Sequence, residues 1–274
     1  MQSSYMTFDF GKLHYQHAVS GKKQTILFIP ALNSSAAAFT KTGELLKDQF
    51  NIIALDIPGH GLSDRLNVQK YSHYYHFDGI VDILLAFLDR LKLTNVYIAG
   101  NSLGGNTGIR ALPNTKSITG LILLSSIHAE NSEHFFNAVR SPEALKLNAK
   151  SIFSEEDITT LASHYIAKTA PKEAFTKMTV DLAQTDGHFR EHFIADVENQ
   201  PFPNEFKYLK DSKIPVIYIG GKEDAFITPA YYDRLVQQGI VKRDNLHLLD
   251  DVAHVPTLEN PERCAQLIAD FMQQ

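Results

Sequence analysis

Segment 100–105 has the residue types and spacing of a catalytic serine on a tight turn. It reads Gly-Asn-Ser-Leu-Gly-Gly, follows the apolar run Val96–Ala99 and precedes a helical pattern. Such a turn needs glycines on both sides of the serine because side chains there would meet the neighbouring backbone. A hydroxyl at the start of a helix, where negative charge is favoured, is suited to attack a carbonyl carbon. The pattern predicts Ser102 as the nucleophile.

A serine hydroxyl needs a base to remove its proton, and one histidine lies where a base is expected. His254 follows the strand-like run Leu246–Leu249 and precedes the last helical pattern. Among the twelve histidines it alone occupies a loop of this kind. Because parallel strands end at one edge of a sheet, this loop should lie beside Ser102. We therefore predict that His254 is the general base.

An acid should accept the other N–H of the histidine and stabilise its charged form. Asp224 comes directly after the strand-like run Val216–Ile219, at the same expected edge of the sheet. Glu223 is the neighbouring rival, and it would point away if Asp224 points inward. Asp250 and Asp251 are nearer to the histidine in sequence, but we interpret them as solvated loop acids. The sequence favours Asp224.

Acyl transfer also requires N–H donors for the developing oxyanion. The backbone N–H of Leu103 should be one donor, and that of Leu32, in the loop after Thr25–Ile29, the other. The side chain of Asn33 is an alternative donor. This machinery needs neither a metal nor a cofactor. Substrate contacts are assigned to Asn33, Phe226 and Val255.

The elements that would carry these residues alternate between short strands and longer helices. The predicted strands are Thr25–Ile29, Ile52–Leu55, Val96–Ala99, Leu121–Leu124, Val216–Ile219 and Leu246–Leu249. The predicted helices are Ala36–Lys47, His76–Leu91, Leu103–Leu112 and Glu262–Met272. Uninterrupted apolar strands are typical of a sheet buried on both faces. The alternation predicts an α/β fold with a mostly parallel sheet and helices on both sides.

The alternation stops between residues 129 and 212, where helical patterns are punctuated by prolines and no strand is convincing. We interpret this interval as a helical cap inserted into a core formed by 1–128 and 213–274. A cap at the edge where Ser102 lies would exclude water and enclose the substrate. Seven apolar residues could form its inner wall or its own small core: Leu145, Leu147, Ile152, Phe153, Leu161, Ile166 and Phe175.

Four motifs together resemble the α/β-hydrolase fold family, in particular its capped, single-domain serine esterase-like branch. They are 100–105, the segment 56–63 (Asp-Ile-Pro-Gly-His-Gly-Leu-Ser), 221–229 and 254–256. The order serine, aspartate, histidine along the chain also matches that family. The resemblance implies an eight-stranded, mostly parallel sheet with an inserted helical cap.

Two positions depart from the family pattern. Pro30-Ala31 stands where the family usually carries His-Gly, so the approach of the Leu32 loop to a substrate should differ. Ala253 precedes the histidine where the family often has glycine, a change that the loop should tolerate.

The expected reaction is hydrolysis of a carboxylic ester or thioester of a small or medium-sized substrate through an acyl-enzyme. A serine at the centre of the tight turn 100–105, which is called a nucleophile elbow, disfavours epoxide and haloalkane hydrolysis, which use a carboxylate nucleophile in this fold. A carbon–carbon bond hydrolase of ring-cleavage products is an alternative, although such enzymes usually carry Trp where this chain has Val255. A slow-turnover, ligand-binding receptor is a further alternative, because fold alone does not fix function.

Composition bounds the remaining function classes. The chain has 274 residues, 44% of them hydrophobic, and a net charge of -5 with no basic stripe, which argues against nucleic-acid binding. A single cysteine excludes an internal disulfide. The sequence shows neither an export signal nor an apolar run long enough to span a membrane, so we expect a cytoplasmic protein. Its oligomeric state is left open.

One metal-like spacing occurs in the expected cap. Residues 188–192 read His-Phe-Arg-Glu-His, which places His188 and His192 on one face of a helix. A zinc site needs a third ligand and a dry cavity. We interpret this segment as a polar cap helix and predict no metal site.

Overall fold

The computed structural model describes residues 1–273 and contains one sheet in the order β1-β2-β4-β3-β5-β6-β7-β8. The strands are β1 (Gln2–Phe8), β2 (Gly11–Ala18), β3 (Thr25–Ile29), β4 (Asn51–Leu55), β5 (Val96–Asn101), β6 (Ile118–Leu124), β7 (Val216–Gly221) and β8 (Leu246–Leu249). β1 and β2 pair antiparallel, as do β2 and β4, and every later pairing is parallel. The predicted α/β fold with a mostly parallel, eight-stranded sheet is confirmed.

The two faces of the sheet pack against different helices. On β3, Ile26 and Phe28 belong to one apolar cluster, and Leu27 and Ile29 belong to the other. Successive side chains of a strand point to opposite faces, so an uninterrupted apolar run such as β3 supplies both layers. Every residue of β3 and β4 is buried.

The helices of the core flank this sheet. They are α1 (Thr40–Leu46), α2 (Val68–Tyr71), α3 (Phe77–Arg90), α4 (Leu103–Ala111), α11 (Pro229–Gln237), α12 (Pro256–Glu259) and α13 (Pro261–Met272). α1 and α13 pack together on one face, and α3 and α4 on the other. In α3, buried residues recur at helical spacing, and Phe87 is fully buried. Truncating such a phenylalanine to alanine costs roughly 3–5 kcal/mol.

Six further helices lie between β6 and β7. They are α5 (Ser132–Ala138), α6 (Pro142–Asn148), α7 (Glu155–Tyr165), α8 (Lys172–Gln184), α9 (Gly187–Asn199) and α10 (Glu205–Ser212). Local signals set these boundaries: Pro142 starts α6, and Ser154 with Asp157 forms a capping box on α7. α10 packs against α4 through an ion pair between Glu205 and Arg110. Within 1–273, no helix has the length and apolarity to cross a membrane.

Differences from the predicted elements concern the chain start and one helix. β1 and β2 were not predicted, because they carry polar residues and β1 alternates in exposure along an edge of the sheet. The predicted helix Ala36–Lys47 is a 3-10 turn, Ala36–Phe39, followed by α1. All six predicted strands are present.

Candidate active site

Ser102 occupies a strained turn between β5 and α4. Its φ of 50° and ψ of -115° lie in a region that non-glycine residues rarely adopt. A Cβ added to Gly100 would overlap the backbone of Gly104, and one added to Gly104 would overlap the carbonyl oxygen of Ile29. The two glycines therefore permit the turn, and the Ser102 N–H fixes it to β6 by donating to the Leu124 carbonyl at 2.8 Å. The hydroxyl is presented at the first turn of α4.

His254 and Asp224 form a buried pair at the same edge of the sheet. The imidazole Nδ1 lies 2.8 Å from Asp224 Oδ2, and the two side chains are 5% and 1% exposed. Asp224 Oδ1 accepts the N–H of Phe226 at 2.8 Å, which fixes the carboxylate. An ionised carboxylate can only accept, so Nδ1 carries the proton and Nε2 is left as the basic nitrogen.

The rival acids lie away from this pair. Glu223 is exposed, and its N–H bonds to the Val252 carbonyl. Asp250 is 80% exposed and pairs with Lys222 at 2.8 Å, and Asp251 is also exposed. Of the four carboxylates weighed from sequence, the structure brings Asp224 alone into contact with the histidine.

Ser102 and His254 line one cavity whose walls are mostly apolar. Its lining comprises Leu32, Phe77, Ser102, Leu103, Asn106, Ser125, Ile127, Phe135, Val139, Leu145, Asn148, Tyr165, Phe193, Ile194, Val197, Phe226 and His254. Within residues 1–273 no hydrogen bond joins the Ser102 hydroxyl to the His254 ring. In unliganded sites this contact is often long and tightens when substrate binds.

Two backbone N–H groups are available at this cavity. Leu32 and Leu103 both line it, and neither N–H donates a hydrogen bond to any acceptor among residues 1–273. Leu103 follows the serine and starts α4, so its N–H is one that a helix leaves unsatisfied. These are the two donors predicted from sequence for an oxyanion.

A buried histidine holds the loop that carries Leu32. His60 Nδ1 lies 3.1 Å from the Pro58 carbonyl, and Nε2 accepts the N–H of Asn33 at 3.2 Å. Burial lowers the pKa of His60 to about 4, so the ring is neutral and can accept this bond at neutral pH. Asn33 itself has a φ of 62°, a left-handed conformation that the bond helps to maintain. His60 thus supports the Leu32 loop, which has Pro30-Ala31 in place of the His-Gly of the family pattern.

The residues assigned to substrate contact fall into two groups. Phe226 lines the cavity, with its ring centroid 4.6 Å from that of His254. Asn33 and Val255 are fully buried and lie outside the lining. The Asn33 amide instead donates to Asn148 Oδ1 at 2.6 Å.

Two of the polar residues that line the cavity, Tyr165 and Asn148, were not among the site residues predicted from sequence. The Tyr165 hydroxyl donates to Asn148 Oδ1 at 3.3 Å, and burial raises the pKa of this phenol, which stays protonated. The Tyr165 carbonyl accepts the N–H of His254 at 3.0 Å. No motif marks either residue, because both reach the site only through the path of the helices between β6 and β7.

The metal-like spacing lies at the start of α9, and none of the residues 188–192 lines this cavity. His188 Nδ1 is 3.3 Å from Glu191, and both side chains are about half exposed. Desolvation lowers the pKa of His192, whose ring lies near that of His76. Over 1–273, no three His, Cys, Asp or Glu side chains are grouped so that they could hold a metal ion.

Comparisons with known proteins agree with this architecture. The family model for the alpha/beta hydrolase fold matches residues 24–261. The uncharacterized hydrolase YugF of Bacillus subtilis is 24% identical, over 97% of this chain and 96% of its own length. A 2-hydroxy-6-oxononadienedioate/2-hydroxy-6-oxononatrienedioate hydrolase of Paraburkholderia phymatum is 25% identical, over 96% and 91%. The N-acyl homoserine lactonase AidH, solved with N-butanoyl homoserine, superimposes with a TM-score of 0.84 at 21% identity, covering 100% of this chain and 97% of that one. The chain belongs to the α/β-hydrolase fold family.

Proposed function

We propose that this chain is a serine hydrolase that cleaves a carboxylic ester or thioester of a small or medium-sized substrate. One observation carries the proposal: a single apolar cavity is lined by Ser102 and His254, and Asp224 is bonded to the far side of the imidazole. The position of the serine, on a strained turn at a helix N-terminus, supports the same reading.

The geometry implies a two-step reaction. The Ser102 oxygen attacks the substrate carbonyl while its proton passes to His254 Nε2, and the N–H groups of Leu32 and Leu103 stabilise the oxyanion. His254 then protonates the leaving alcohol or thiol, and an acyl-enzyme remains. Water, deprotonated by His254, attacks this ester and releases the acid and the free serine. Asp224 stabilises the imidazolium in both steps.

The proposed substrate carries no charge, and the lining of the cavity supports this. No lysine or arginine contributes to the cavity within the described part of the chain, and most of the lining is aliphatic or aromatic. The Paraburkholderia relative is named for a dienedioate, which carries two carboxylates, and this cavity offers them no cationic partner. The AidH neighbour is named for an acyl lactone, a cyclic ester without carboxylates. The proposed reaction therefore includes lactones, and carbon–carbon cleavage of dioates is disfavoured.

We also propose that residues 129–212 act as a lid on this cavity. Eight lining residues come from this segment: Phe135, Val139, Leu145, Asn148, Tyr165, Phe193, Ile194 and Val197. They are contributed by α5, α6, α7, α9 and the turn after α5. A cover of this kind would exclude water from the acyl-enzyme and set the length of acyl chain that fits.

The test is turnover of p-nitrophenyl esters of graded chain length, with acyl-CoA thioesters, an acyl homoserine lactone and a ring-cleavage dioate in the same panel. Burst release followed by steady turnover of the neutral esters is expected. Preferred turnover of the dioate would replace the proposal with carbon–carbon hydrolysis. Binding of one ester equivalent without turnover would indicate a receptor.

A further inference from the structure

A buried carboxylate brackets the loop that carries His254. Glu259, the last residue of α12, accepts the N–H of Ala253 at 3.0 Å and that of Val255 at 3.0 Å. It also accepts the N–H of Ala167 at 2.7 Å, and the residue is 6% exposed. The peptide N–H groups of the residues before and after His254 therefore both donate to the Glu259 side chain.

The backbone of His254 itself is held from two other directions. Its N–H donates to the Tyr165 carbonyl at 3.0 Å, and its carbonyl accepts the side-chain amide of Asn101 at 3.0 Å. Asn101 lies directly before the serine of the elbow. The backbone of the histidine loop is thus hydrogen-bonded to α12, to the last residue of α7 and to the strand that leads to the nucleophile.

A carboxylic acid suits the position of Glu259 better than an amide would. Burial raises the pKa of Glu259 to about 7, although the three N–H donors favour its ionised form. The negative charge of Asp224 acts in the same direction as burial. Above that pH the group is mostly ionised, and a carboxylate offers two oxygens in one plane that can accept from several N–H groups at once without presenting a donor. A glutamine here would turn an NH2 group toward at least one N–H.

We propose that Glu259 is a positioning residue, whose carboxylate keeps the His254 loop aligned with Ser102 and fastens the Ala167 turn of the lid to that loop. The proposal rests on the proposed function. Glu259 does not line the cavity and acts only through the backbone of its neighbours. Catalysis tolerates little misplacement of a base, so the effect should appear in the chemical steps rather than in substrate binding.

Glu259 also connects the lid to the histidine loop. Tyr165 and Ala167 lie on one turn at the end of α7, and each makes a backbone hydrogen bond to the histidine loop or to the carboxylate that holds it. Tyr165 also lines the cavity, with its ring centroid 5.5 Å from that of His254. The lid turn and the general base are therefore fixed by the same contacts.

The experiment compares Glu259→Gln with the matched control Glu262→Gln in the full chain. Glu262 is three residues later and exposed, and it pairs only with the surface side chain Lys41. For Glu259→Gln we expect kcat for a p-nitrophenyl ester to fall about 100-fold, with KM little changed. The downfield proton resonance of the His254 Nδ1–H bond to Asp224 should shift or broaden. The control should match the wild type in every measurement.

Two results would overturn the proposal. One is wild-type kcat together with an unchanged imidazole resonance in folded Glu259→Gln; the other is a loss confined to KM. If Glu259→Gln does not fold, Ala167→Pro tests the contact between the lid and Glu259. This variant removes the N–H of residue 167 and leaves the N–H groups of Ala253 and Val255 bonded to Glu259. A wild-type kcat in that variant would contradict the coupling. Failure of the proposed function would look different: the wild type would hydrolyse no ester, while the resonance would still report on Glu259.

Discussion

Two regions of the molecule contain a buried histidine bonded to an aspartate, and by distance they are nearly the same. His254 Nδ1 lies 2.8 Å from Asp224 Oδ2, and His14 Nδ1 lies 2.7 Å from Asp56 Oδ2. The second pair even has a serine, since Ser3 Oγ is 3.1 Å from His14 Nε2. Judged by residue types and interatomic distances alone, both groups would be identified as Ser-His-Asp sets.

The difference lies in what surrounds each pair. Asp56 also accepts the N–H groups of Ala36 at 2.6 Å and Leu62 at 3.0 Å, so its oxygens hold two loops in place. Ser3 is exposed on the edge strand β1, and neither it nor His14 lines the cavity. This set therefore has its hydrogen bonds satisfied and lacks the helix N-terminus and the free N–H donors found at Ser102.

The two histidines differ in whether the second ring nitrogen is free, and not in the bond to the aspartate. Within 1–273, His254 Nε2 has no hydrogen-bond partner and its ring lines the cavity, whereas His14 uses both nitrogens on the protein. A histidine that is fully bonded stabilises a fold, and one with a vacant basic nitrogen beside a cavity can accept a proton.

The largest expected effect separates the two serines. Ser102→Ala should lower kcat for a p-nitrophenyl ester by about 10⁶-fold, because the acyl-enzyme cannot form. Ser3→Ala, which removes the hydroxyl from the other set, should leave kcat unchanged. Labelling by a fluorophosphonate probe should disappear in the first variant alone. Labelling at Ser3, Ser125 or Ser126 would refute the assignment of the nucleophile.

The next largest effect concerns the aspartate that is bonded to His254. Asp224→Asn should lower kcat by about 10⁴-fold, since the amide leaves the imidazole in the wrong tautomer. The exposed Asp250→Asn is the control and should behave as wild type. Thermal denaturation should show that both variants remain folded. Full activity of Asp224→Asn would show that another acid orients the histidine.

Stability tests the second pair, in which Asp56 is bonded to His14. Asp56→Asn breaks a buried pair that also holds Ala36 and Leu62, and we expect a loss of about 3 kcal/mol in the free energy of unfolding. Its kcat should fall far less than that of Asp224→Asn. Urea unfolding and ester turnover on the same preparations would measure both quantities. A catalytic loss as large as that of Asp224→Asn would break the distinction between the two pairs.

His60 provides a smaller test, because it is another buried histidine with both nitrogens bonded. Its pKa is lowered to about 4 in the fold and is about 6.5 in the unfolded chain. The unfolded state therefore binds the proton first, and the stabilisation present above pH 6.5 is lost as the pH falls toward 4. Between pH 7 and pH 5 this amounts to about 2 kcal/mol. Urea unfolding of His60→Gln should show a flatter dependence over that range, and an unchanged slope would contradict the assignment.

The fold and the proposed triad were accessible from sequence because their signals are local. An uninterrupted apolar run such as Thr25–Ile29 indicates a buried strand wherever it lies, and the two glycines around Ser102 report a turn that only glycine permits. Asp224 and His254 each follow a strand that could be recognised separately. Their catalytic roles stay predictions until activity is measured.

The inner wall of the lid could not be predicted in the same way. Of the seven apolar residues expected there, only Leu145 lines the cavity. Leu161 and Ile166 are buried elsewhere, and Ile152 is 84% exposed. Helical periodicity shows that a helix has an apolar face, but the rotation and path of the helix decide what that face contacts.

By itself, the sequence determined the alternation of strands and helices, the elbow at Ser102 and the loops that follow β7 and β8. These depend on neighbours a few residues away, through backbone sterics and apolar periodicity. The tertiary structure alone decided that Glu259 accepts hydrogen bonds from both the histidine loop and Ala167, and that both ring nitrogens of His14 are bonded. Each of these contacts joins at least one group far away along the chain, and their existence depends on how whole elements pack, which no local pattern encodes.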